Sequence, residues 1–117
     1  MIFIKLGIIL CALTVILGAF GAHSLEKIID DKMQTFRTGI QYQMFHSLGL
    51  ILIGIIAEFL KIDVTLTGYL ILFGIILFSG SLYVISIFKY SYFGMIAPIG
   101  GLCFIFGWLL LFYKINT

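Results

Sequence analysis

The stretch LGIILCALTVILGAFGAHSLEK, residues 6–27, decides the fold. From Leu6 to Ala22 it carries no charge, and then Glu26, Lys27, Asp30, Asp31 and Lys32 arrive together. A helix needs about 20 apolar residues to cross a hydrocarbon core about 30 Å thick. Three more charge-free windows follow, from Thr38 to Ala57, Val64 to Phe88 and Tyr90 to Tyr113. In lipid an open chain segment satisfies its own backbone hydrogen bonds only as a helix. Composition agrees: 62% of the 117 residues are hydrophobic and 10% charged, whereas a soluble domain carries about a quarter charged residues. The expected fold is therefore an all-α membrane protein. A single domain, 1–117, forms an up-down bundle of four transmembrane helices near 3–22, 38–60, 65–88 and 92–113.

A net charge of +2 is too small and too scattered for a nucleic-acid surface, so no nucleic-acid partner is expected. Cys11 and Cys103 fall mid-span, where cysteine acts as a small apolar residue. Lysine and arginine are nearly balanced between the two sides, so the positive-inside rule gives no orientation. An even number of spans still puts both termini on one side. Lys5, the apolar run and Ala19-Phe20-Gly21 imitate a signal peptide, but the packing features of the first span predict that residues 1–22 are retained.

Between the first two spans, Leu25, Ile28, Ile29, Met33, Phe36 and Ile40 recur at helical spacing with charged residues between them. That pattern predicts an amphipathic interfacial helix within residues 24–37. Ser24 is a candidate cap, and Asp31 with Gln34 offers a second start, which places a break near 30–31. The connections around Lys61-Ile62-Asp63 and Lys89-Tyr90-Ser91-Tyr92 are short and force antiparallel neighbours. In span one, Gly7, Cys11, Thr14, Gly18, Gly21 and Ala22 share a stripe; small residues let helix backbones approach closely. Gly18 and Gly21 are thus expected to form a close-packing seam. Span two aligns Gly39, Gln43, His46, Ser47, Gly54, Ala57 and Glu58; span three aligns Thr65, Gly68, Ser79, Tyr83 and Ser86. Span four aligns Gly94, Ala97, Pro98, Gly101 and Trp108.

His46 is the most informative side chain, because an ionisable group at its depth marks a functional site by default. Gln43, His46, Ser47, Ser79 and Tyr83 form the candidate intramembrane polar patch. His46 is expected to be buried, neutral and hydrogen-bonded to another helix, with Ser79 and Tyr83 of span three as candidate partners. His23 ends span one and is expected at the interface. It sits about 12 Å above His46, too far for two imidazoles to share a metal at about 2 Å, so no metal site is expected. Glu58 and Lys61 should form a snorkelling interfacial pair. Arg37, Gln34 and Gln41 cluster opposite His46, as headgroup or loop contacts would. Pro98 withdraws a backbone donor and Gly100 and Gly101 follow it, so a helix break is expected inside span four. No nucleophile elbow, phosphate loop, carboxylate pair or HExxH motif occurs. Nothing argues for an enzyme or a cofactor.

Four stretches carry a resemblance: GAFGAHSL (18–25), FRTGIQYQMFHSLGL (36–50), SGSLY (79–83) and PIGGLCFIFGW (98–108). Together they resemble the domain-of-unknown-function 423 family of small membrane proteins. The resemblance implies a multi-pass protein of the bacterial cytoplasmic membrane, and it suggests that His23, Gln43, His46, Ser79, Tyr83 and Pro98 belong together. It implies no activity. The leading expectation is a non-catalytic membrane protein acting by self-association or as an accessory subunit. Its partners would be the lipid bilayer and a second copy or a larger membrane protein. The alternative is an oligomeric binder or transporter of a small solute or ion that uses the patch around His46 and the break at Pro98.

Overall fold

A computed structural model describes residues 1–116, with the side chain of Ala22, part of the expected stripe in span one, outside the description. Among the described residues there is no strand, and four helices are long and apolar enough to cross a membrane. Span one is Ile2–Gly21, α-helical to Ile16 and closed by a π-turn, Leu17–Gly21. Span two is one continuous helix, Met33–Leu60. Span three is Thr65–Phe88, with a π-turn at Ile75–Ser79, and span four is Ala97–Asn116.

The segment expected as an interfacial helix with a break near 30–31 is divided further. Ala22–Ser24 and Glu26–Ile29 are short helical turns, and Asp30–Lys32 is a 3₁₀ turn entered at Asp30 with φ 50°. The break thus falls where the second capping start placed it. Met33, Phe36 and Ile40 belong to span two itself, because no glycine or proline interrupts the helix before Gly39. Ile29 and Phe36 are fully buried under the bundle, while Ile28 faces outward.

Span two ends at Lys61, which takes the left-handed conformation at φ 57°. The amides of Lys61 and Ile62 both return to the Ala57 carbonyl, satisfying one of the orphan groups that every helix end leaves. Asp63 Oδ1 then accepts the amide and hydroxyl of Thr65 at 3.0 and 2.6 Å, ordering the start of span three. Glu58 pairs with the amino group of Met1 at 4.0 Å. This replaces the expected Lys61 partner, because antiparallel packing brings the start of span one beside the end of span two.

Span four begins later than its apolar window. Ser91–Met95 is a 3₁₀ turn, and Pro98 lies in the first turn of the final helix. There the missing amide has no helical acceptor to disappoint. Near Pro98 the apolar span Ser91–Asn116 changes from 3₁₀ turn to α-helix.

Span one packs on span two and span four on span three, giving a flattened body of 49 × 27 × 16 Å. Phe3, Leu50, Ile53, Val64, Ile71, Ile75, Phe104 and Leu111 form the apolar core. Backbones meet most closely at two glycines. A Cβ on Gly7 would stand 2.7 Å from the Ser47 carbonyl oxygen, and one on Gly100 would collide with the backbone of Phe78. The expected seam at Gly18 and Gly21 is different in kind. A Cβ on Gly21 would meet the Phe36 ring first, at 2.9 Å, and one on Gly18 a methyl of Ile40 at 3.4 Å.

Candidate functional site: a polar seam along span two

The core described above gives way, towards the 22–32 and 89–95 connections, to hydrogen-bonding side chains. Span two carries them because Gly39, Gln43, His46 and Ser47 recur on one helical face. Gln43, His46, Ser47 and Ser79 are buried, and Tyr83 is half-buried.

Gln43 joins three helices. Its Oε1 accepts the Tyr83 hydroxyl of span three, and its Nε2 reaches the Leu10 carbonyl of span one at 3.5 Å. Thr14 donates to the same carbonyl at 2.6 Å. One turn nearer the start of span two, Ser79 donates to the Gly39 carbonyl at 2.8 Å. Ser79 closes the π-turn of span three, and Gly39 admits the Tyr83 ring, which would stand 2.8 Å from a Cβ there. Ser47 turns back onto its own helix and donates to the Gln43 carbonyl at 2.5 Å.

His46 takes a different partner from those expected. Trp108 Nε1 of span four donates to His46 Nε2 at 3.0 Å. The ring's other nitrogen, Nδ1, lies 2.9 Å from the Tyr42 carbonyl. An indole N–H only donates and a carbonyl only accepts, so Nε2 is bare and Nδ1 carries the proton. The imidazole is neutral and both its nitrogens are in use. Its ring lies flat on Phe104, centroids 3.6 Å apart and planes 11° from parallel. Ser79 and Tyr83, the partners expected, are taken up by Gly39 and Gln43. Trp108 stood in the span-four stripe. The signal that it was the partner is that a buried indole N–H needs an acceptor, and His46 is the imidazole at its depth.

Not every residue grouped by the sequence joins the seam. His23 is exposed and lines a surface groove with Glu26, Asp30, Met33 and Arg37. Pro98 is exposed; a Cβ on Gly100 would meet Phe78, whose ring packs on Tyr42 at 4.6 Å, and one on Gly101 would come no closer than 4.0 Å to that ring. Among the described residues, no group of three or more His, Cys, Asp or Glu side chains is placed to hold a metal ion.

The sequence profile of the family described as "Protein of unknown function (DUF423)" matches residues 17–101. The chain belongs to this family. The matched segment runs from the π-turn of span one through Gly101, and so includes Gln43, His46, Ser79 and Tyr83 but stops short of Trp108. Two relatives show how far the likeness extends. The UPF0382 membrane protein YwdK of Bacillus subtilis is 48% identical over 113 residues, covering 94% of this chain and 92% of that protein. The UPF0382 membrane protein SH2409 of Staphylococcus haemolyticus is 46% identical over 111 residues, covering 94% and 91%. No solved structure matches. Like these relatives, this DUF423 member is a membrane protein, and its own four apolar helices make it multi-pass.

Proposed function

We propose that this DUF423 protein is a non-catalytic component of the bacterial cytoplasmic membrane that works by packing against a second copy or a larger membrane protein. One observation carries the reading: the polar side chains of the seam are bonded within the bundle, to one another or to backbone carbonyls, and Thr67 Oγ1, elsewhere in span three, is the buried side-chain oxygen left without a partner among the described residues. His46 is held by Trp108 and the Tyr42 carbonyl, Gln43 by Tyr83 and the Leu10 carbonyl, and Ser79 by the Gly39 carbonyl. Interhelical bonds of this kind are how membrane helices are glued together. A proton relay or solute site needs a group facing a hydrated space with hydrogen-bonding capacity to spare. The flattened body adds support, since a 49 × 27 Å face offers a partner a broad apolar contact. The relatives' bacterial sources and this chain's helical spans favour the cytoplasmic membrane, because outer-membrane spans are built as β-barrels.

The test is reconstitution of singly labelled protein into lipid vesicles at low protein density, with stoichiometry counted by stepwise photobleaching. Two or more copies per assembly are expected, with no leak of trapped small solutes. Single copies that conduct an ion or solute would overturn the proposal in favour of transport.

A further inference from the structure

Three concavities that share wall residues follow one another along spans one and two and the connection between them, and together they make a groove. At its head, His23, Glu26, Asp30, Met33 and Arg37 line a hollow of about 380 Å³. Arg37 is shared with a second hollow, also about 380 Å³, whose walls include Gly18, Gln34, Ile40 and Gln41. Gly18, Ile40 and Gln41 pass in turn into a third, of about 540 Å³, walled by Thr14, Val15, Ala19, Met44, Phe45 and Leu48. The groove is therefore charged at one end and apolar along the other.

We infer that this groove holds a phospholipid with an amine-bearing, zwitterionic headgroup, of phosphatidylethanolamine chemistry. The levels match. Span two has 28 residues, about 42 Å at 1.5 Å each, so it overhangs a hydrocarbon core of about 30 Å. Its charge-free window opens at Thr38, which places Arg37 at the phosphate level. Gln41, one turn or about 6 Å deeper, stands at the glycerol esters, and the apolar walls begin below it. The charges match as well. A guanidinium binds a phosphate with two parallel N–H donors, and the carboxylates of Glu26 and Asp30 in the same hollow are complementary to an ammonium. These groups are free to do so: among the described residues, the side chains of Arg37, Glu26, Asp30, Gln34 and Gln41 have no hydrogen-bond or ion-pair partner. An exposed amide such as Gln41 facing bare hydrocarbon would bear its full desolvation cost, which an ester carbonyl accepting from it removes. Gly18 completes the fit, because with only the Ile40 methyl near it its missing side chain is what keeps the groove open.

Full-length protein in detergent, titrated with dioleoyl-phosphatidylethanolamine, -phosphatidylglycerol and -phosphatidylcholine and read by native mass spectrometry, tests the inference. Retention of the ethanolamine lipid should exceed that of the glycerol lipid about tenfold, the factor that one charge-assisted hydrogen bond supplies. R37Q should weaken retention of all three lipids. The double variant E26Q/D30N should remove the preference for the amine while leaving phosphate-dependent binding. G18L should abolish retention with an unchanged melting temperature, which distinguishes a filled groove from an unfolded protein. Equal retention of all three lipids by the wild type would overturn the inference. So would a G18L variant that retains lipid normally but shifts the dimer-to-monomer ratio, since the groove would then be a seam between copies.

Discussion

The bond between Trp108 and His46 is open to a double-mutant cycle. His46→Phe keeps an aromatic ring on Phe104 and removes both ring nitrogens; Trp108→Phe removes the indole donor. The bond spans 3.0 Å between the buried His46 and the half-buried Trp108 of two different helices. Intramembrane hydrogen bonds average about 0.6 kcal/mol and reach about 1.7, so a coupling of about 1 kcal/mol is expected. Each single substitution should cost about 1–3 kcal/mol, because each leaves a buried polar partner unmet. Trp108→Phe also withdraws the outer ring atoms that stand 3.0 Å from a Cβ position on Gly49, a packing loss common to the single and double variants that cancels in the cycle. Reversible unfolding in mixed micelles measures all four corners. Effects that add to within about 0.3–0.5 kcal/mol would refute the claim that the two rings are bonded.

Two further predictions concern packing and pH. Gly7→Leu should destabilise the bundle by at least the 1–3 kcal/mol or so typical of overpacking, because a Cβ there meets the Ser47 carbonyl; Gly18→Leu should leave thermal stability in detergent unchanged. At the membrane surface, Lys89 donates to the Ile29 carbonyl and pairs with Asp31 at 3.2 Å, clamping the 22–32 connection to the end of span three. The Lys89 ammonium, by hydrogen bond and then by charge, holds the Asp31 carboxyl below the usual carboxylate range. A depressed carboxylate pKa gives an interaction present above about pH 4 and lost as pH falls through the folded-state value. Backbone hydrogen exchange at residues 29–32, corrected for intrinsic rates, should therefore quicken in that acid range and become insensitive to it in Lys89→Ala.

Much of this arrangement was legible in the sequence, and what was not has identifiable causes. Charge-free windows gave the spans because the hydrocarbon core penalises charge whatever the packing. The shared face of Gly39, Gln43 and His46 followed from helical geometry alone. Partner choice did not, because it depends on how helices rotate about their axes. Ser79 and Tyr83 lie at a suitable depth for His46, yet the rotation of span three turns them to Gly39 and Gln43. Gly18 and Gly7 look alike in the stripe, but only the crossing point of spans one and two decides which meets backbone. The missing donor of Pro98 and the two glycines after it signal a break within an apolar window; the 3₁₀ turn Ser91–Met95 ahead of Pro98 makes it a first-turn residue of the final helix. The family resemblance groups His23 with His46, but its place at the end of span one puts it at the interface, and the structure has it exposed in the surface groove with Arg37.

The central claim is that the polar seam is closed within the bundle, and the imidazole of His46 reports on it most directly. Nitrogen-15 spectra of histidine-labelled protein in lipid bilayers, with His23→Gln to leave a single histidine, read the protonation of each ring nitrogen. Closure predicts one neutral species with a protonated Nδ1 and a bare Nε2, its Nε2 shift moving in Trp108→Phe. A protonated Nε2, or a signal indifferent to Trp108, would contradict it.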